Sequence, residues 1–134
     1  MRFIDNKDNQ VITVDISDNC DFKCNLEMEK LPFEDNSVEI IFCFNVLEHI
    51  YNHKNVINEV YRVLKPNGKF YMSVPFLLNK HADPYDFYRY TDTTLDRLHN
   101  EVGFKKLNQN TLHGAGKVAH QTLSWIYSNG KLSI

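Results

Sequence analysis

Glycine is scarce in this chain of 134 residues: there are five, and none precedes Gly68. That excludes a Gly-rich phosphate turn in the first half, and with it the fingerprint of a nucleotide-linked oxidoreductase. Three cysteines cannot all pair with one another within the chain. Cys43 lies in an apolar run and reads as an inert core thiol. Cys20 and Cys24 are spaced C-x3-C, but no second Cys or His pair stands nearby at a zinc spacing, so no metal is expected there. No apolar run approaches the ~20 residues that span a bilayer, and no signal-peptide pattern opens the chain. A formal charge of −2 gives no electrostatic reason to expect nucleic acid or an anionic membrane as partner. Repeats, low-complexity tracts and long linkers are also lacking. These exclusions leave one cytoplasmic α/β domain over residues 1–134, large enough for one core.

What is present is concentrated between Leu31 and Gly68. Val38 and Ile40 to Phe44 form an apolar run broken only by Glu39, the pattern of a strand covered on both faces. Asn45, Glu48 and His49 bring polarity just after it. Asn52 suits a helix N-cap. Val56, Ile57, Val60, Tyr61 and Leu64 recur at helical spacing. Lys65-Pro66-Asn67-Gly68 should end that helix in a turn, and Phe70 to Val74 make a second strand closed by Pro75. Strand, helix and strand in this order form a right-handed βαβ unit, with polar residues where such units hold ligands.

Three phrases in order, LPFEDNSVEIIFCFNVLEHI, RVLKPNGKFYMSVPF and the stretch from His81 to Thr91, resemble the class I S-adenosylmethionine-dependent methyltransferases, over roughly Val11 to Phe104. The third phrase is similar to a block found in a branch associated with surface-sugar biosynthesis. The resemblance implies a Rossmann-like, doubly wound, mostly parallel sheet and S-adenosylmethionine as cofactor. It implies methyl transfer to a small-molecule acceptor, and the third phrase points to a sugar-related one. The competing reading is a remnant of the fold that acts as a structural or interaction protein.

The resemblance assigns cofactor roles residue by residue. Asp15, ending the Val11–Val14 run and followed by Ile16, would hold the adenosyl ribose; a turn-capping Asp is the alternative. Asn25, with Leu26 beside it, stands where the family usually has an Asp that reads adenine. Phe44 and Asn45 would flank the methionine part, where an aromatic face attracts a sulfonium; Phe44 could equally be core. The family's first strand and its Gly-rich turn have no counterpart, so an N-terminally truncated fold is expected, with the central strand left without a neighbour. Such an edge would invite pairing with a second copy.

For chemistry, His49 is the first candidate base and His81 the second, because imidazole titrates near neutral pH. His53 follows His49 by four residues, but Asn52 as N-cap separates them, so a metal pair is not expected. The loop from His81 to Tyr90 is either a cover for the core, with Arg89 paired to an Asp, or a lid in which Asp86, Arg89 and Tyr90 bind the acceptor. Thr91 or Asp92 should cap a helix carrying Leu95, Leu98 and Val102, ended by Gly103. Residues 107–112 suggest a strand, and residues 115–127 a short amphipathic helix.

Overall fold

In the computed structural model, residues 1–5, 10–113 and 121–131 are described, with side chains for 1, 11–110 and 126–131. The strands are β1 (Arg2–Asp5), β2 (Gln10–Asp15), β3 (Phe22–Lys23), β4 (Val38–Phe44), β5 (Leu64–Leu77), β6 (Phe104–His113) and β7 (Gln121–Asn129). The helices are α1 (His53–Val63) and α2 (Asp92–Val102), with one 3-10 turn at Leu47–His49. One seven-stranded sheet runs β3-β2-β1-β4-β5-β7-β6.

Strand direction decides where a ligand can bind. β2 and β4 are each antiparallel to β1, so they are parallel to one another. β3 follows β2 and β5 follows β4, both in parallel. β7 is antiparallel to β5 and to β6. Only β1 and β7 therefore oppose the common direction, and the carboxyl ends of β2, β4 and β5 share one edge. The expected Rossmann-like sheet is present, with its dominant direction intact.

Several local expectations are corrected. β4 is not left without a neighbour: Arg2 to Ile4 pair with Phe42 to Ile40, so β1 fills the place beside it. Nor is β4 evenly covered. Val38, Ile41 and Cys43 are buried, while Ile40, Phe42 and Phe44 retain exposure. α1 and α2 touch one another and reach β5 and β6, so both lie on the same face of the sheet.

The segment from Lys65 to Gly68 is not a free turn. Leu64 already pairs with Val38, and pairing resumes at Lys69 with Ile40. The intervening residues bulge out of β5, with Asn67 at φ 62°, a conformation Asn tolerates. β5 also runs past Pro75 to Leu77. The expected helix over 115–127 is a strand from Gln121 onward. Thr, Trp, Ile and Tyr suit a pleated surface, and strands on both sides supply backbone partners that a helix there would forgo. His113 ends β6, and the neighbouring 114–116 Gly pair lies outside the described residues.

Both helices follow their sequence signals. Of the expected stripe of α1, Val56, Ile57 and Val60 are buried, Tyr61 packs partly against the core, Val63 joins them, and Leu64 already belongs to β5. Asn52 occupies its N-cap, but its side-chain amide donates instead to the Glu27 carbonyl, 3.0 Å away. On α2, the Thr91 hydroxyl accepts from Thr94 N–H, and Gly103 closes the helix at φ 111°. A Cβ at Gly103 would come within 2.7 Å of the Tyr61 hydroxyl, so glycine is required there twice over.

Candidate active site

The common edge gathers residues from four segments. At the end of β2, exposed Asp15 accepts the Ser17 N–H at Oδ1, 2.9 Å. This backbone bond is the chief reason its carboxyl lies below the usual range. Asp15 thus caps its turn through Oδ1, and its exposed anion remains on the surface. Ile16 beside it is 65 % exposed. At the end of β4, Phe44 is 54 % exposed, so the core reading of that ring fails. Asn45 follows with φ 51°, and its N–H donates to Ser73 O at 2.9 Å. Two large apolar side chains therefore face solvent at the same edge of the sheet, at the ends of two strands that flank β1.

Asn25 and Leu26 lie in the turn after β3. Asn25 Oδ1 accepts the Glu27 N–H at 3.0 Å, so its carbonyl oxygen already shapes the turn. Leu26 packs partly against the core. The LPF segment that follows is held by a buried hub. The Glu59 carboxylate accepts Leu31 N–H at 2.8 Å, and Arg62 Nε and Nη2 at 2.8 and 2.7 Å. Arg62 also donates to Phe33 O and Asp35. Glu59 is held below the ordinary carboxylate range by these donors, although burial pulls the other way.

The 3-10 turn after β4 carries the centre of the site. Glu48 is 0 % exposed, and neither carboxylate oxygen has a hydrogen-bond partner among the described residues. Burial raises its carboxyl above the usual range. His49 Nε2 lies 3.6 Å from Glu48 Oε1, and the His49 ring meets the His81 ring edge-on at 4.8 Å. One ligating atom from each of Glu48, His49 and His81 lies within 4.8 Å of the others. The two histidines singled out separately are thus one cluster, some thirty residues apart in sequence. Glu48 is the member sequence reasoning undervalued. Its signal was position: an acid between Leu47 and Ile50, directly after an apolar strand. His53 opens α1 beneath the Tyr88 and Tyr90 rings, on a different element from His49.

The loop after β5 supplies His81, and the other acceptor-binding candidates prove to be its scaffold. Arg89 donates to both Asp86 oxygens at 2.6 and 2.8 Å. Its remaining N–H groups go to the carbonyls of Leu78, Asn79 and Tyr88. All five donors are spent, so Arg89 has none left for an acceptor. Asp86 also accepts the His81 N–H at 2.8 Å, and the Arg89 guanidinium holds its carboxyl far below the usual range. Tyr90 is buried with its hydroxyl donating to Leu47 O at 3.3 Å. Glu48 O accepts the N–H of Phe87 and Tyr88, which fastens the loop to the 3-10 turn. These contacts correct the acceptor-binding role expected of Asp86, Arg89 and Tyr90: the first two place His81, and Tyr90 ties the loop to the 3-10 turn.

Of the C-x3-C pair, Cys24 is buried with its thiol against Lys30 O, and the Cys20 thiol meets the carbonyls of Ser17 and Phe22. Cys43 is buried, and its thiol is pushed up to about 12.

A family model described as a methyltransferase domain matches residues 2–72, more than half of the chain. The chain belongs to the class I S-adenosylmethionine-dependent methyltransferases. That family's cofactor is S-adenosylmethionine. A Mycolicibacterium smegmatis protein named "Probable S-adenosylmethionine-dependent methyltransferase" is 30 % identical over 104 residues, covering 77 % of this chain and 37 % of that protein. An uncharacterized protein of Methanocaldococcus jannaschii is 39 % identical over 75 residues, covering 51 % of this chain and 33 % of that one. The chain thus spans about a third of these curated relatives. The crystal structure of a methyltransferase from Mesorhizobium loti superposes with a TM-score of 0.67 at 13 % identity, covering 86 % of this chain and 78 % of that one. At that identity the likeness shows the fold. In class I methyltransferases, as in other open α/β sheets, ligands lie outside the carboxyl ends of the strands. No helix of the described residues is long and apolar enough to cross a membrane.

Proposed function

We propose that this methyltransferase domain transfers the methyl group of S-adenosylmethionine to a small-molecule acceptor held at Glu48, His49 and His81. The observation that carries this reading is the buried, unpartnered Glu48 carboxylate beside two imidazoles at the end of β4. A fold gains nothing from an acid in that state, so a ligand role accounts for it.

The parts divide by strand end. Asp15 would accept hydrogen bonds from the ribose hydroxyls, Ile16 and Leu26 would border the adenine with Asn25, and Phe44 and Asn45 would face the sulfonium. The acceptor would lie between Phe44 and the histidines, beneath the loop that carries His81. Methyl transfer is a displacement in line with the departing sulfur: the acceptor–carbon bond forms as the sulfur–carbon bond breaks, leaving S-adenosylhomocysteine. The protein's work is alignment. A hydroxyl acceptor must also lose its proton, and the cluster at His49 and His81 would be where it leaves. A sugar-related acceptor is the finer form of this reading, supported by the branch resemblance of the His81–Thr91 block.

Calorimetric titration with S-adenosylhomocysteine tests it. The expected result is 1:1 binding, weakened at least about 10-fold by Asp15→Ala, the loss of two charge-assisted hydrogen bonds. Absence of binding at millimolar ligand would favour the structural remnant instead.

A further inference from the structure

We infer that Glu48, His49 and His81 form a binding site for one divalent first-row transition ion, a role that deepens the proposed function by giving the acceptor's oxygen an ion to bind. It rests on that reading only for the acceptor; the ion site stands on the geometry alone.

The tautomers are the first ground. His49 Nδ1 lies 2.7 Å from Tyr85 O. A carbonyl can only accept, so Nδ1 carries the proton and Nε2 keeps its lone pair. That Nε2 is the atom 3.6 Å from Glu48 Oε1. His81 repeats the arrangement. Its Nδ1 is 3.2 Å from Asn79 O, a carbonyl that can only accept and that lies nearer than Arg89 Nη2 at 3.5 Å. Both imidazoles are thus oriented through Nδ1–H by backbone oxygen, leaving Nε2 to ligate. Metal-binding histidines are held in this way.

Glu48 is the second ground. A fully buried carboxylate with both oxygens unpartnered is costly whether charged or protonated, since the protonated form still leaves a donor unmet. A cation at the open end of the carboxylate supplies what no protein group does. Glu48 therefore lies buried at the side of the cluster, while the partly exposed histidines leave the other coordination positions open to solvent.

Distance is the third. With ligand bonds of about 2.0–2.2 Å, two donors on one ion stand at most about 4.4 Å apart, so donors within 4.8 Å close around it by a shift within side-chain reach. Two imidazoles and one carboxylate select zinc, cobalt, iron or manganese over magnesium, which prefers an all-oxygen shell. Three protein ligands leave positions for an acceptor's oxygen; with both Nε2 atoms on the ion, the ion takes over from the free imidazoles the easing of proton loss, and the proton passes to water.

The test uses the full chain, stripped with chelator and without S-adenosylmethionine, titrated with Co2+ and followed by visible d–d absorption. The expected result is a 1:1 end point with nitrogen-ligand bands. His49→Ala and His81→Ala should each weaken binding by at least about 10-fold, the lower end of what even an outer-shell loss costs. Glu48→Gln, which keeps the side chain's shape, should weaken it comparably, with circular dichroism showing all three variants folded. An equal concentration of Mg2+ should leave the bands in place. Lack of 1:1 binding, binding that survives the His49→Ala/His81→Ala double variant, or displacement by equimolar Mg2+ would each overturn the site. Cofactor binding is measured separately, so a failed ion titration and a failed cofactor titration point to different errors.

Discussion

Two acids lie at the same end of the sheet with their side chains almost wholly out of water, Asp86 at 1 % exposure and Glu48 at 0 %. Asp86 receives two bonds from Arg89 and one from the His81 N–H. Glu48 receives none among the described residues. The same chemical group is fully bonded in one place and unbonded in the other, and what separates them is satisfaction rather than burial. A satisfied buried acid fixes a loop; an unsatisfied one stores free energy that only a ligand, an ion or a proton can release.

The comparison breaks most forcefully at Arg89. Arg89→Ala leaves Asp86 buried with its main partner gone, and we expect a loss of about 3 kcal/mol, at the low end for a severed buried pair, read by urea denaturation. Removing the other acid should do the opposite. Glu48→Gln is expected to leave the chelator-treated protein as stable as before or up to about 1 kcal/mol more so, because no charge remains to be desolvated.

The pH dependence sharpens the contrast, since the two carboxyls are displaced in opposite directions. Glu48, raised by burial above its ordinary 4.5, binds more protons folded than unfolded, so its contribution falls as pH rises above that value. Asp86 lies below its ordinary 3.8; its contribution is present above that value and fades as pH falls below it. Chelator-treated wild type compared with Glu48→Gln should differ by a slope of the first sign. His99 adds a third case: buried against Tyr127 at 4.0 Å, it is lowered to about 4. It should withdraw stability as pH falls from 6.5 toward 4, a dependence His99→Phe removes. At the small end stands Arg97, whose pair with Glu101 is largely solvated. Arg97→Ala should not measurably change the urea midpoint.

How much of this was legible depended on whether a signal was local. The cap at Thr91, the stop at Gly103 and the stripe of α1 were readable because neighbours three or four residues apart determine them. The β7 strand was not, because its pattern fits two periods and the decision lies with β5 and β6, distant in sequence. β1 was missed for the same reason: four residues acquire a strand's identity only from β2 and β4. At the site, His49 and His81 were visible as residue types, but their meeting depends on the loop from Leu78 to Tyr90. Arg89 shows the converse. Its chemistry suits an anion, and the anion it meets is Asp86, three residues away.

The central claim is that the carboxyl edge of β2 and β4 is where this methyltransferase domain holds its cofactor. The most direct measurement is a map of backbone amide NMR shifts as S-adenosylhomocysteine is added to the full chain. Saturable shifts at Asp15, Ile16, Asn25, Leu26, Phe44 and Asn45, with Arg97 to Glu101 unmoved, are the expected result. Shifts confined to other surfaces, or none at saturating ligand, would contradict it.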